Sequence, residues 1–528
     1  VRLIEVRLLD GPNVYRLAPA VRIEVAVGRR RTWYGERLPA RHAVVRLGVI
    51  VRPKDAPSVV VELASWVRRL HRRVLGTTTA VTIHRTSEPG RWVVAYPWSQ
   101  RDTAEAIAQA ALRLTDESVS PRLLERAVKS IAEADGGGPN WITDDQRKVP
   151  VISISGTNGK STTTRMISHI ALLAGRHVGT TTTDGVLVDE RMLEPGDFTG
   201  PQGARAVLAR QEVELAVLET ARGGILLRGL GYQSNDASVL TNVSGDHLDL
   251  QGLHTLPELA EVKSVVCRVT RPNGAVVLNA DDPLVVAVGR YVKAPVWLFS
   301  LRPRSALVRA HLAAGRRAYV FDDGWLVECN GRRTTRIVAV AEVRATLGGL
   351  ARYVVANALA AAGGARALGF TIDEIAAGLR DFDNSPALMP GRLNLYAQGN
   401  RLVIVDYAHN VAGLEVLIDT AEALIGRRGH RQATLSVAIG SAGDRPDDYI
   451  RGIGRIAGSR ADEVAIKEGL PYLRGRSRAS VIGELREGLH AVGVSASAVP
   501  IYEDELDAIR GELTTPARPV RDDTPSAR

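Results

Sequence analysis

The chain predicts an α/β protein with a doubly wound, mostly parallel central domain built around a P-loop. A smaller C-terminal α/β domain and an N-terminal α+β domain flank it. Three observations carry this. Val149 to Ile154, rich in β-branched residues, stops at Gly156, and Gly159-Lys160-Ser161 then opens a helix-spaced segment through Met166, Ile167, Ile170 and Leu173. Strand and helix patterns alternate from 148 to about 385, as parallel sheets require. The alternation restarts near 389, and Gly136-Gly137-Gly138-Pro139-Asn140 is a clear break on the amino-terminal side.

In residues 1–100, Ile23 to Val27, Ala43 to Val51, Ala80 to His84 and Trp92 to Tyr96 predict strands, and Val59 to Val74 a helix. Residues 103–133 predict two amphipathic helices. Central strands are expected at 149–154, 177–182, 214–219, 236–241 and 275–279, with helices at 159–174, 201–210, 257–268 and 351–368. Residues 305–340 predict short antiparallel strands inserted in that domain. Further on, strands are expected at 401–406, 433–439 and 462–467, and helices at 411–424, 447–457 and 478–490, a Rossmann-like pattern. The expected domains are 1–140, 147–386 and 387–513, with 514–528 a disordered tail rich in Pro, Thr, Arg and Asp.

At 528 residues the chain is too long for one ordinary domain, and 45% hydrophobic with 24% charged residues is a soluble globular composition. No apolar run approaches the ~20 residues that span a bilayer, and Val1-Arg2-Leu3-Ile4-Glu5 lacks an apolar signal region. Two cysteines far apart, Cys267 and Cys329, form neither a disulfide framework nor a zinc site, so a cytoplasmic protein is expected. The net charge of +10 is spread along the chain without an aromatic-and-basic stripe, so neither nucleic acid nor a membrane is expected as a partner.

The loop Gly156-Thr157-Asn158-Gly159-Lys160-Ser161-Thr162 carries the chemistry. Backbone N–H groups in such a turn cradle phosphate oxygens, and the helix N-terminus adds a favourable dipole. Lys160 would neutralise phosphate charge and Ser161 would place its hydroxyl on Mg²⁺. The usual P-loop has a glycine where this chain has Ile154, so this is a shorter variant. Glu219 ends the apolar run Leu215 to Leu218 and is followed by Thr220-Ala221-Arg222-Gly223-Gly224, placing a carboxylate where α/β sheets bind ligands. Asp246-His247-Leu248-Asp249 follows the next strand end, Thr241-Asn242, and its imidazole could hold a divalent cation. Lys263 lies on the helix after it, in a chain that prefers arginine; a primary amine can add CO₂ to form a carbamate that steers Mg²⁺, whereas a guanidinium is a poor substitute. Asn279 fits either an Asx-turn or an adenine contact. Arg392, in Pro390-Gly391-Arg392, and Asp406, in Asp406-Tyr407-Ala408-His409-Asn410, could close on phosphates and ribose, or be an interdomain turn and a strand end.

This ordered series resembles the Mur ligase superfamily of ATP-dependent amide-bond ligases over residues 148–513. Thr180-Thr181-Thr182-Thr183-Asp184-Gly185, Gly196-Asp197-Phe198-Thr199-Gly200-Pro201, the run from Glu219 to Leu226, Ala442-Gly443-Asp444-Arg445 and Arg474-Gly475-Arg476 are similar to the Mur-ligase half of the cyanophycin synthetases. Leu9-Asp10-Gly11-Pro12-Asn13 and the stretch from His84 to Val94 resemble their amino-terminal domain. The ATP-grasp domain that lies between those parts in that family has no counterpart in the roughly fifty residues available here.

The resemblance implies ATP and Mg²⁺ as cofactors and ligation through an acyl phosphate, with Lys160, Lys263, His247 and Glu219 catalytic. Ser161, Glu219 and His247 would hold metal. Gly156 to Thr162, Asn279, Arg392 and Asp406 would bind the nucleotide, and the last domain would close upon it. Asp184, Asp197, Arg222 and His409 are the substrate candidates. The acid is a small-molecule or peptide-like carboxylate and the amine an amino acid, with arginine addition to an aspartate side chain the specific form. A glutamate-adding ligase and a non-catalytic nucleotide-binding partner of another ligase stay open as rivals. A separate ATP-grasp ligase and a second copy of the chain are the macromolecular partners to consider.

Overall fold

A computed structural model describes the chain except residues 29–48, 246–251, 428–432, 470–471 and 515–528. The chain forms two compact units: Val1–Val243 with Leu248–Val338 and Ala356–Leu379, and, as the second, chiefly Ala339–Val355 with Arg380–Arg528. Among the described residues no helix is long and apolar enough to cross a membrane.

The first unit opens with β1 (Arg2–Leu9), β2 (Ala20–Ala26), β3 (Val49–Ile50), α1 (Ser58–Leu75), β4 (Thr82–Arg85), β5 (Arg91–Pro97), α2 (Arg101–Asp116) and α3 (Pro121–Ala132). The strands form an antiparallel sheet in the order β1-β2-β5-β4-β3. One sheet face (Val21, Ile23, Val25, Val94, Tyr96) buries its side chains with Leu63, Val67 and Leu70 of α1 and Ile107 of α2 in a single core. The sequence pattern misses β1, whose Arg and Glu alternate with apolar residues and leave the strand half-buried. The strand expected at Ala43 to Val51 lies largely outside the described residues; its described end is β3.

The central sheet follows: β6 (Val151–Ser155), α4 (Lys160–Leu173), β7 (Val178–Thr181), β8 (Gly185–Val188), β9 (Arg191–Pro195), α5 (Pro201–Leu208), β10 (Leu215–Glu219), α6 (Arg222–Arg228), β11 (Asn235–Leu240), α7 (Leu256–Arg268), β12 (Thr270–Asn279), α8 (Pro283–Val288), β13 (Val296–Ser300), α9 (Ala306–Ala313), β14 (Arg317–Asp322), β15 (Trp325–Asn330) and β16 (Arg333–Ala339). Eleven strands run in the order β16-β15-β14-β13-β12-β11-β6-β10-β7-β8-β9. From β14 to β7 the pairing is parallel throughout. Every residue of β6 is buried, as in a strand covered on both faces.

The structure corrects the expectation for 305–340. That stretch begins with the helix α9, and its first strand, β14, joins the sheet parallel to β13; only β15 turns back antiparallel. Two strands were not foreseen between 184 and 196: β8 and β9 close that edge as an antiparallel hairpin.

The helices α10 (Arg352–Ala367) and α11 (Ile372–Asp381) come next in the chain. In the second unit, β17 (Asn394–Gln398) pairs antiparallel with β18 (Arg401–Val405), so the strand expected at 401–406 belongs to a two-stranded ladder and not to the parallel sheet. That sheet consists of β19 (Ser436–Ile439), β20 (Glu463–Lys467) and β21 (Ile501–Tyr502). Helices α12 (Val411–Arg427), α13 (Asp447–Arg460), α14 (Arg478–His490) and α15 (Glu505–Thr514) accompany it. Leu414, Ile439, Ile453, Ile466 and Leu485 share its core. The tail expected at 514–528 lies outside the described residues from 515 onward.

Candidate active site

The chain crosses from one side of β6 to the other between β10 and β11, so β6 stands at a topological switch point, where open α/β sheets bind ligands beyond their carboxyl ends. Ile154 lies in register with Glu219 of β10, and Ser155 with Leu240 of β11. The loop after β6 is therefore flanked by Glu219 on one side and Thr241-Asn242 on the other.

Neighbouring strand ends hold the loop. The Thr157 N–H donates to the Asn242 carbonyl at 2.8 Å and the Asn158 N–H to Asn242 Oδ1 at 2.9 Å. The Asn158 carbonyl accepts from Asn242 Nδ2 (2.9 Å) and from the Thr241 hydroxyl (2.7 Å). On the other side, the Ser155 hydroxyl donates to the Thr220 carbonyl at 2.8 Å. Two positions demand glycine. Gly156 has φ +152°, and a Cβ there would strike the Thr241 hydroxyl; Gly159 has φ +82°, and a Cβ there would strike the Asn357 amide.

Helix α4 starts at Lys160 with Gly159 as its N-cap and no side-chain cap. Its first N–H groups have no intrahelical carbonyl to bond and point at the loop mouth, and no acidic residue sits in the first turn. Lys160 folds back, Nζ donating to the Thr157 carbonyl at 2.8 Å. Ser161 Oγ lies 3.4 Å from Thr183 Oγ1. This arrangement fits a polyphosphate: uncapped donors, a cation that can swing outward, and a hydroxyl at the helix start.

Glu219 and Lys263 are both buried, at 2% and 5% exposure. Lys263 Nζ donates to the Gly156 carbonyl at 2.6 Å, which ties α7 directly to the loop. Hydroxyl and carboxylate oxygens such as those of Ser161 and Glu219 suit Mg²⁺, which keeps several waters and shares phosphate oxygens. Among the described residues no group of three or more His, Cys, Asp or Glu could hold a metal by itself. His247 lies outside the described residues.

The other expected residues fall as follows. Asn279 bridges two strand ends, Nδ2 donating to the Thr241 carbonyl at 2.8 Å while Oδ1 accepts the Asp281 N–H at 2.9 Å. Asp184 accepts from the buried Arg165 guanidinium on α4 at 2.8 Å. Asp197 closes an Asx-turn, its Oδ1 accepting from the Thr199 N–H (3.0 Å) and hydroxyl (2.6 Å). Arg222 is buried at the first turn of α6.

Arg392, Asp406 and His409 gather in the second unit. The Arg392 guanidinium lies 4.4 Å from the Tyr407 ring centroid. Asp406 accepts the Leu393 N–H at 2.8 Å, and burial pushes its carboxyl above the ordinary range although that hydrogen bond and Arg392 oppose the shift. His409 Nδ1–H donates to the Tyr407 carbonyl at 2.9 Å.

Two contributors escaped the sequence reading. Asn357 on α10 packs its amide against Gly159; its signal was a single asparagine in an alanine-rich helix. Arg165, half-way along a buried helix, marks itself as a charge that needs a partner. Cys267 and Cys329 are buried free thiols, and burial pushes Cys267 up to about 12, so neither is a nucleophile here.

The pattern of the Mur ligase middle domain matches residues 154–365, the stretch that contains the loop, Glu219 and Lys263. Cyanophycin synthetase from Trichormus variabilis is 41% identical over 366 residues, covering 69% of this chain and 40% of that protein. The chain thus spans about two-fifths of the length of such relatives. UDP-N-acetylmuramyl-tripeptide synthetase from Deinococcus radiodurans is 29% identical over 440 residues, 79% of this chain and 80% of that protein. Among solved structures, MurF from Acinetobacter baumannii is 18% identical over 69% of this chain and 70% of its own, with a TM-score of 0.48. Residues 154–365 thus carry the pattern of a Mur ligase middle domain.

Proposed function

We propose that the protein is an ATP-dependent, ADP-forming ligase that joins an amine to a carboxylate through an acyl phosphate. The observation that carries this is the short loop at the switch point, with Lys160 and Ser161 at its mouth, Glu219 on the adjacent strand end and Lys263 bonded to its backbone.

A carboxylate oxygen of the acid attacks the γ-phosphorus of ATP, the bond to the bridging oxygen breaks, and ADP leaves. The amine nitrogen then attacks the acyl carbon, the carbon–oxygen bond to phosphate breaks, and inorganic phosphate leaves as the nitrogen loses a proton. The loop N–H groups and Lys160 offset charge on the phosphates. Mg²⁺, held by Ser161 and Glu219 with His247, would neutralise the crowding between phosphate and incoming carboxylate. Lys263 fixes the loop through the Gly156 carbonyl; a carbamate on the same nitrogen would keep one N–H for that bond and add an anion toward the metal.

The finer form is cyanophycin synthetase-like: arginine added to an aspartate side chain of a peptide-like acid, in the cytoplasm, with backbone extension left to a separate ATP-grasp ligase. The test is an ADP-release screen pairing each amino acid with aspartate-rich peptides, glutamyl acids and cell-wall-like acids. ADP release that requires both an acid and an amine supports a ligase, and arginine with an aspartate peptide supports the finer form. Nucleotide binding with no ADP release from any pair overturns the proposal.

A further inference from the structure

The amino-terminal sheet has a second face that the core does not use. Register places Glu5 opposite Glu24 and Arg7 opposite Arg22, on the side away from α1 and α2. An ion network crosses it. Glu5 contacts Arg7 and, at 3.0 Å, Arg22; Glu24 contacts Arg22 and, at 3.3 Å, Arg91; Arg91 contacts Glu88. Glu24 at the middle of this network is buried, whereas Glu5, Arg7, Glu88 and Arg91 around it are half-buried.

The chain after α6 lies against it. The Asp10 N–H donates to the Arg228 carbonyl at 2.7 Å, and the Leu230 N–H returns to the Pro12 carbonyl at 2.8 Å. The backbones approach so closely at Gly11 and Gly229 that a Cβ on either would strike the other strand's main chain. The interdomain segment grips the same stretch further along: the Ile142 N–H donates to the Gly231 carbonyl, and the Gln233 N–H to the Ile142 carbonyl, both at 2.9 Å. Asn13, fully buried, stiffens the gripping loop: Oδ1 accepts the N–H groups of Tyr15 and Arg16, and Nδ2 donates to the carbonyls of Gly11 and Ala18. The motif Leu9-Asp10-Gly11-Pro12-Asn13 is thus a backbone clasp on the segment that follows α6.

The same region reaches α7. His254 Nε2 lies 3.2 Å from Glu88 Oε1, immediately before the Thr255–Glu258 capping box that starts α7. Tyr15, half-buried, packs edge-on against His84 with ring centroids 5.1 Å apart. Helix α6 begins with Arg222, three residues after Glu219, and α7 carries Lys263. Both helices that frame the proposed centre are therefore braced by the amino-terminal region, while α4 and its loop are braced by the central sheet.

We propose that the amino-terminal α+β region is a positioning element for the ligation centre, setting α6 through the Gly11–Gly229 clasp and α7 through Glu88. This rests on the proposed ligase function, so the test has one readout that does not need turnover. In the full-length protein, Gly11→Ala and Glu88→Gln are compared with the wild type by amide hydrogen exchange and by kcat and KM for ATP. In Gly11→Ala, exchange at 222–230 should rise at least about tenfold with 160–173 unchanged. Its kcat should fall on the order of 100-fold with KM for ATP within about twofold, as expected for a misplacement of about 1 Å. Glu88→Gln should loosen the start of α7 and lower kcat about threefold at unchanged KM.

Unchanged exchange at α6 and α7 in both variants overturns the proposal, as does a KM rise matched by loosening of α4, which would mark general destabilisation. If Gly11→Ala does not fold, Glu88→Gln decides: unchanged kcat and unchanged α7 exchange overturn the proposal. If the wild type releases no ADP with any substrate pair, the ligase reading fails by itself and exchange alone decides this one.

Discussion

Two glycine-containing loops in this molecule join a parallel strand to a helix and differ in chemistry. After β6, Gly156 to Gly159 leads into α4; after β19, Gly440 to Arg445 leads into α13. The first is fixed by neutral groups, the amide and carbonyl of Asn242 and the hydroxyl of Thr241, together with two cations, Lys160 and Lys263, that bond its carbonyls, and its helix starts with Lys160-Ser161. The second is fixed by charges. Asp444 contacts Arg445 and Arg474, Arg476 donates to the Arg445 carbonyl at 3.2 Å, and Arg476 pairs with Asp447 at 2.7 Å. Asp447 and Asp448 occupy the first turn of α13, where they already complement the helix dipole. A glycine turn before a helix is thus only a shape. It suits a phosphate where the helix start carries no acidic residue and the groups that pin the loop bring positive charge and no carboxylate.

Four substitutions probe this contrast. The largest effect is expected from Lys160→Ala, which should lower ADP release on the order of 100- to 1,000-fold with the fold intact by circular dichroism. Lys263→Ala should be strongly impaired, on the order of 100-fold in kcat, and partly rescued by short-chain carboxylic acids, measured as ADP release against added acetate or formate. Asn242→Ala removes the two side-chain hydrogen bonds to the Asn158 backbone, and nucleotide affinity by calorimetry should weaken about tenfold. Deleting one of the charges that pin the second loop, in Arg474→Ala, should leave nucleotide affinity within about twofold and cost about 1 kcal/mol of stability or less, since that side chain is 51% exposed. A large loss of nucleotide affinity in this last variant would erase the distinction between the loops.

Much of the central architecture was legible because buried parallel strands read as apolar runs. β6, β10, β11 and the carboxyl half of β12 all fall where such runs end at glycine or a polar residue. The hairpin β8–β9 was not legible. β9 is fully exposed at the sheet edge, so Arg191 to Pro195 carries no burial pattern. β1 was hidden for another reason: its charges pair with one another and with Arg22 on a half-buried face, which a hydrophobic pattern cannot register. In the site, the loop with Glu219, Thr241-Asn242 and Lys263 around it was readable from type and spacing, whereas Asn357 was not. Asn357 comes from a helix some two hundred residues later in the chain, and only the fold brings its amide to Gly159. Asp184 and Asp197, readable as acidic substrate candidates, are engaged by Arg165 and by the Thr199 turn.

The central claim is that the γ-phosphate held by this loop is transferred to a carboxylate and not to water. Its most direct test follows oxygen. With the acid that supports ADP release labelled by ¹⁸O in its carboxylate, and the amine present, the inorganic phosphate released is analysed by mass spectrometry. The expected result is one ¹⁸O per phosphate, carried over when the acyl carbon–oxygen bond breaks. Phosphate that takes its new oxygen from solvent, with the label retained in the acid, would contradict it.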